Sequence, residues 1–306
     1  MEPLKISVQF PGFITGDLEV NGITVLMGQP MSGKTTLLRL VYDVLYASEL
    51  GVVPVEASVI AKEFLDGEMK VSVGKRGVSG VLTCSTFEGD PSCDYNKEKV
   101  GYKGVFFPSD MEYILKYNYS PVYYESYSEF FTVLNKLRAK VEDKYYAVKL
   151  QKGFIKSRLI ARDFQLYEEV GGKQFRAELA SSSSLKLSFL VSLLEKGLLG
   201  DPKSTVLLFD DVQEGLHAEY MLRLAYLLGL MASKGYKILL TTHNVGFLSL
   251  LACLRGVAKT LGYNDEFGLA PALYVVKDKH IEEYSVASSA IPTYTEYSLS
   301  VYKNCT

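Results

Sequence analysis

The sequence predicts an α/β fold: a mixed central sheet with helices, a flanking antiparallel β-sheet and an inserted helical lobe. Three observations predict it. An apolar run, Ile23 to Met27, enters a glycine-bounded loop and then a helical period. A second run, "VLLF" at 206–209, ends on two adjacent aspartates. A third, "ILL" at 238–240, passes through a polar cluster into another apolar helix. Short continuous apolar runs that alternate with helical periods read as buried parallel strands.

Bulk properties bound the answer. The chain has 306 residues, 48% of them apolar, and a formal charge of −2. That is enough for one α/β core with an insertion, and it exerts no overall pull toward nucleic acid or anionic lipid. The cysteines (Cys84, Cys93, Cys253, Cys305) form no C-x-x-C pair, and His217, His243 and His280 lack metal-ligand spacing, so no structural zinc site is expected. The start, "MEPLKISVQF", lacks a basic region followed by an apolar one. The long apolar run "LAYLLGLMA" at 224–232 is about half a membrane span. A cytoplasmic chain without direct membrane insertion is expected. Asn118 and Asn304 stand in glycosylation-type triplets, which carry no weight without a secretion signal.

The first strand, loop and helix lie in "GITVLMGQPMSGKTTLLRLVYDVLY", residues 22–46, where Gly28, Gly33, Lys34 and Thr35 satisfy G-x-x-x-x-G-K-[ST]. Backbone N–H groups of the loop (Gly28, Gln29, Met31, Ser32, Gly33) and of the helix start (Lys34, Thr35, Thr36) suit phosphate oxygens, which a side chain at Gly33 would obstruct, while Pro30, without an N–H, helps shape the same nucleotide-binding loop. Lys34 supplies a point charge for the β- and γ-phosphates. Thr35 offers a hydroxyl to Mg²⁺, which prefers oxygen ligands and keeps several waters. Leu37, Leu38, Val41 and Leu45 recur at helical spacing and read as core.

The acid pair explains itself beside that loop. Two adjacent carboxylates at a buried strand end repel each other and resist desolvation, so they need something positive. A parallel sheet carries Asp210 to the edge where metal and phosphate would lie, and Asp211, one residue on, would face the γ-phosphate and polarise the attacking water. His243 stands at another strand end of the same sheet, where it would sense or hydrogen-bond that phosphate. Upstream, Ser181, Ser182, Ser183 and Ser184 precede an amphipathic helix carrying Leu187, Leu190, Val191 and Leu194. Helix capping and phosphate binding both account for these serines.

In order, these segments resemble the ABC-type ATPases of the SMC, RecF and OLD kind, and especially archaeal AAA ATPases close to the OLD proteins but lacking a nuclease domain. "GQPMSGKTT" stands where that family has G-P-N-G-S-G-K-S-T; "LASSSSLKL" resembles its signature segment; "LLFDDVQEGLH" resembles L-L-I-D-E-P-E-x-x-L-H; and "LLTTHNVGFL" resembles its T-H-S switch. The resemblance covers about residues 4–251. It implies a phosphate-loop ATPase of ABC type that binds ATP and Mg²⁺, with Lys34, Asp211 and His243 catalytic and Thr35 and Asp210 on the metal. It also implies an ATP-dependent head-to-tail homodimer in which Ser181, Ser182 and Ser183 touch ATP held by the partner.

The departures bear on function. Pro30 and Met31 replace Asn-Gly, Val212 and Gln213 replace Pro-Glu, and the signature lacks its glycine. Asp211 stands where the family has glutamate, which draws the carboxylate back by roughly 1.5 Å. A misplacement of about 1 Å can cost about 10²-fold in rate, so hydrolysis is expected to be slow. An ATP-gated binding switch with negligible turnover is the alternative. The nucleotide domain of a membrane transporter fits less well, because L-S-G-G-Q is absent.

Three parts complete the chain: residues 1–109 as the first half of the ATPase core with the antiparallel sheet, 110–177 as the inserted helical lobe, and 178–306 as the second half with signature, acid pair and His243. "VVPVEASVIAKEF", "MKVSVGKRG" and "GVLTCSTF" read as strands of the flanking sheet. "GVFFPSDMEYI" reads as strand, turn and helix start, with Ser109 and Asp110 in a turn where the family often carries arginine. Segment 136–162 carries nine cations against two acids. That stripe could bind nucleic-acid phosphates with tyrosines as stacking surfaces, but a solvated helix face with tyrosines packed on the core is the preferred reading. "ALYVVKDKHIEEYSVA" reads as two strands across a turn, and the tail from Tyr294 as a closing helix. No nuclease motif follows the switch, so any nuclease, like any other partner protein, would be a separate polypeptide.

Overall fold

The computed structural model describes residues 2–65, 67–87, 90–117, 125–151, 153–268 and 270–284. The expected closing helix from Tyr294 lies outside them. In chain order the elements are β1 (Leu4–Phe10), β2 (Ile14–Val20), β3 (Ile23–Gly28), α1 (Lys34–Leu50), α2 (Val55–Phe64), β4 (Glu68–Lys75), β5 (Val78–Phe87), β6 (Asp90–Tyr95), β7 (Lys103–Phe107), α3 (Met111–Tyr117) and α4 (Ser128–Arg138). There follow β8 (Ser157–Arg162), β9 (Gln165–Val170), β10 (Lys173–Arg176), α5 (Ser182–Glu195), β11 (Thr205–Phe209), α6 (Ala218–Lys234), β12 (Lys237–Thr242), α7 (Val245–Ala252), α8 (Leu254–Thr260), β13 (Ala272–Lys277) and β14 (His280–Tyr284).

Among the described residues, one 11-stranded sheet runs β6-β5-β4-β1-β2-β14-β13-β3-β12-β11-β7. Its β13-β3-β12-β11-β7 half is parallel, and its β6-β5-β4-β1-β2 half is antiparallel. The expected mixed central sheet and antiparallel flank are therefore one continuous sheet. Strands β3, β11 and β12 are buried on both faces, as helix-covered parallel strands must be. Strand β1 alternates buried and open positions, as a half-covered sheet requires.

Register decides what meets at the sheet's edge. Phe209 pairs with Leu240, and Thr242 with Met27. The carboxyl ends of β11, β12 and β3 therefore finish together, which is where open α/β sheets build their sites. Gly51 closes α1 and Gly235 closes α6, both in the left-handed conformation that glycine adopts without penalty.

Two segments differ from expectation. Residues 55–64 form helix α2 rather than a strand. Pro54 presents a helix-compatible φ of −62° at the cap, and Glu56, Ala57, Ile60 and Ala61 are buried with a helical period that β-branched composition had masked. The stretch to residue 177 is not helical throughout, because β8, β9 and β10 form a separate three-stranded antiparallel sheet. Its turns are Asp163–Phe164 and Gly171–Gly172, all at positive φ, the geometry that suits the twist of a two-residue hairpin. The Gly-Gly pair was the legible signal. The "KDKH" turn forms as expected, with Asp278 and Lys279 at positive φ between β13 and β14. Cys84 and Cys93, opposite each other on β5 and β6, are joined by a disulfide that the spacing had not suggested.

Candidate functional site

Strand β3 delivers the chain into a loop that turns back on itself before α1 begins. Met31, at φ 62°, and Gly33, at φ 89°, make the reversal. A side chain at Gly33 would collide with Phe13, whose Cε1 lies 2.8 Å from the place a Cβ would take, so the ring of Phe13 caps the loop. Lys34, the first residue of α1, folds back over the loop: its ammonium donates to the carbonyls of Gly28 at 2.9 Å and Gln29 at 2.8 Å, and to Ser32 Oγ at 3.3 Å. Burial pulls the pKa of Lys34 down, against the opposing attraction of Asp211 and Asp210.

The next residue reaches across to β11. Thr35 Oγ1 lies 2.9 Å from Oδ1 and 3.0 Å from Oδ2 of Asp210. Thr241, at the end of β12, donates to Oδ1 of Asp210 at 2.8 Å. Burial raises the pKa of Asp210, and the hydrogen bonds from Thr241 and Thr35 only partly offset it. A hydroxyl and a desolvated carboxylate converging in this way form an oxygen donor set that fits Mg²⁺ shared with substrate phosphates. Among the described residues no group of three or more His, Cys, Asp or Glu forms a metal cage by itself.

Asp211 follows with φ 40°, a left-handed backbone that residues other than glycine seldom adopt. Its N–H donates to Thr241 Oγ1 at 3.0 Å, so one threonine ties both aspartates. Its Oδ1 lies 3.1 Å from His243 Nδ1 and accepts from Gln213 Nε2 at 3.0 Å. Pro30, Met31, Ser32, Gly33, Lys34, Thr35 and Thr36 line a cleft of ≈ 420 Å³ with Asp211 and His243 across from them. Phe13 and Phe64 form its apolar end, their ring centroids 5.1 Å apart.

Gly28, Gln29 and Asp210 stand behind this lining, the first two as acceptors for Lys34 and Asp210 beneath Thr35. The serines are elsewhere, at the start of α5. Ser181 is the cap, its Oγ accepting from the N–H of Ser184 at 3.2 Å. Ser182 Oγ accepts from Lys116 Nζ at 3.3 Å. Ser183, grouped with them as a contact to a partner's nucleotide, is buried instead and donates to the carbonyl of Gly215 at 3.0 Å.

Sequence reasoning missed Phe13, Phe64, Thr241, Gln213 and Lys186. Lys186 is buried, and its ammonium lies 2.6 Å from the Ser109 carbonyl, 3.1 Å from the Glu214 carbonyl and 2.9 Å from Glu112 Oε2. It bolts α5 to the loop after Asp211 and to the turn after β7. The polar Thr-Thr before His243 and the lysine inside an apolar helix were the available signals. Of the basic stripe, Lys149 and Arg158 line a cleft of ≈ 660 Å³ together with Glu142, Glu169 and Glu195. Lys152 lies outside the described residues.

Residues 96–249, a little over half of the chain, match the family described as an AAA domain, putative AbiEii toxin, Type IV TA system. The chain belongs to this AAA family. The matched span contains the α5 serines, both aspartates and His243, while the phosphate loop lies ahead of it. No curated protein matches the AAA chain in sequence. In architecture it is similar to an Smc head bound to the C-winged helix domain of ScpA, at TM-score 0.51 and 15% identity over 94% of this chain and 98% of that one. It is also similar to an Smc head domain with an extended coiled coil bound to the C-terminal domain of ScpA derived from Pyrococcus furiosus, at TM-score 0.50 and 12% identity over 99% and 98%. At these identities the likeness establishes the fold alone, that of an SMC head domain. Among the described residues no helix is long and apolar enough to cross a membrane.

Proposed function

We propose that this AAA protein binds ATP with Mg²⁺ in the cleft over the phosphate loop and hydrolyses it slowly. The carrying observation is the contact of Thr35 with Asp210 at 2.9 and 3.0 Å, which joins the helix start to the acid-tipped strand. Bound there, Mg²⁺ would neutralise phosphate charge, with Thr35 as a protein ligand and Asp210 holding the ion through a water. Lys34 would exchange the loop carbonyls for the β- and γ-phosphates, and the N–H groups of Gln29 and of residues 31–36 would wrap them. Phe13 and Phe64 would receive the base. Asp211 would accept the proton of the attacking water, and His243 would hold Asp211 and meet the γ-phosphate.

Exposed Ser181 and half-buried Ser182 at the start of α5 support a second element, in which two copies associate head to tail and each lends these hydroxyls to the other's ATP. Ser183 takes no part, its hydroxyl being committed to Gly215. The kinship with OLD-like archaeal ATPases, action on nucleic acid or in defence, and recruitment of a separate partner protein belong to this reading as its biological setting. The short side chain of Asp211 favours one alternative, an ATP-gated binding switch with negligible turnover.

Calorimetry with ATP and Mg²⁺ tests the core claim. Saturable heat that weakens at least about tenfold in affinity in Lys34→Ala is expected; no heat with the unmodified chain overturns it. Single-turnover phosphate release separates ATPase from switch, and sedimentation of Asp211→Asn with ATP reports the dimer as a doubled mass.

A further inference from the structure

Gln213 stands two residues beyond Asp211 in the loop leaving β11, its side chain 3% exposed. A buried amide beside a carboxylate either fills space or orients the acid, and the contacts distinguish the two. Its Nε2 donates to Oδ1 of Asp211 at 3.0 Å, and Nδ1 of His243 lies 3.1 Å from the same oxygen. Two groups thus converge on one oxygen, while among the described residues Oδ2 takes no hydrogen bond. Gln213's own Oε1 is buried without a partner among the described residues. A glutamine kept for packing has no reason to bury a bare carbonyl, since methionine or leucine would fill the space without that penalty.

The backbone reinforces the arrangement. Asp211's carbonyl accepts from Glu214 N–H at 2.8 Å and Gln213's from Leu216 N–H at 3.1 Å, so the two residues sit in two overlapping hydrogen-bonded turns. Oδ1 of Asp211 meets both Gln213 Nε2 and His243 Nδ1, which favours one orientation of the carboxylate over its flip. Neutrality of the amide matters as well: a glutamate at 213 would bring like charge within hydrogen-bond range of Asp211.

We propose that Gln213 is a positioning residue for hydrolysis: with His243 it pins Oδ1 of Asp211, so that Oδ2 takes the proton of the attacking water. This rests on the reading of Asp211 given above. In that step the water oxygen bonds to the γ-phosphorus and its proton passes to Oδ2. The bond from phosphorus to the β,γ-bridging oxygen breaks, and its electron pair leaves on ADP. The short aspartate makes the support necessary, because a carboxylate already drawn back from the phosphate tolerates little further error of orientation.

Single-turnover hydrolysis with protein in excess, measured beside ATP affinity by calorimetry, tests this on Gln213→Met, Asp211→Asn and the double variant. Gln213→Met is expected to slow hydrolysis about 10²-fold while ATP affinity stays within about twofold. On the Asp211→Asn background the same change is expected to do nothing further, because a residue acting through another falls silent when the other is gone. Equal losses on both backgrounds, weakened ATP binding, or an unchanged rate in Gln213→Met overturn the role of Gln213 and leave Asp211's intact. An unchanged rate in Asp211→Asn, or no turnover in the unmodified chain, removes the hydrolytic reading and this proposal with it. Should Gln213→Met not fold, Gln213→Asn, which keeps the amide but withdraws it by one methylene, supports the same comparison.

Discussion

Thr35 donates its hydroxyl proton toward both oxygens of Asp210, at 2.9 and 3.0 Å, and so joins the first turn of α1 to the end of β11. The carboxylate pays for this position in solvation. Burial raises its pKa, so the folded chain holds the proton more tightly than the unfolded chain does. Ionisation of Asp210 therefore costs stability that is absent below the unfolded pKa and grows as pH rises through the folded one.

Asp210→Asn removes that cost while its amide oxygen still accepts from Thr35 and Thr241. The nucleotide-free variant is expected to melt higher than the parent at neutral pH, with the gap closing on acidification toward the ordinary aspartate range. Mg²⁺-dependent ATP binding is expected to be lost. Thermal melts across pH check the first part and calorimetry the second; a variant melting lower at neutral pH contradicts the account.

Lys34→Met tests the folded-back ammonium. A charge-assisted contact is worth about 1.5–3 kcal/mol, so ATP affinity should fall roughly 10- to 150-fold. The variant also takes the donor from the Gly28 and Gln29 carbonyls, so the phosphate loop should loosen, and a crystal structure of the variant should show Met31 and Gly33 displaced.

Phe64→Ala probes the apolar end of the cleft. Stacking of a base on an aromatic ring contributes about 1–3 kcal/mol, and Phe64 is half exposed, so ATP binding should weaken at least about fivefold with little change in melting temperature. Triphosphate without a base should bind both proteins alike. Equal weakening for triphosphate would assign Phe64 to the loop's shape instead.

Lys186→Met tests the bolt between α5 and the Asp211 loop. It leaves Glu112 facing an apolar side chain and two carbonyls without their donor, so a loss of about 3–5 kcal/mol is expected in urea unfolding. A loss under about 1 kcal/mol would show that the loop is held by Ser183 and its own turn.

Much of this architecture was legible in the chain. The continuous apolar runs at 23–27, 206–209 and 238–240, bounded by turn residues and alternating with helical periods, read as buried strands of a helix-covered parallel sheet, and local pattern alone specifies the glycine-bounded turn into α1. Local pattern failed where composition pointed one way and packing another. The β-branched residues of 55–64 became helical because the buried face at Glu56, Ala57, Ile60 and Ala61 has the helical period, and 157–176 became strands because its two hairpin turns closed a sheet.

The sequence by itself determined which residue types stand at the loop, the strand ends and the α5 cap, since each follows from spacing within a single segment. Only the tertiary structure decided that Thr241 ties both aspartates, that Phe13 and Phe64 close the cleft, that Ser183 turns inward and that Gln213 grips Asp211. The physical reason is strand register. Pairing Phe209 with Leu240 and Thr242 with Met27 sets which side chains share an edge, and no segment carries that information about its neighbours.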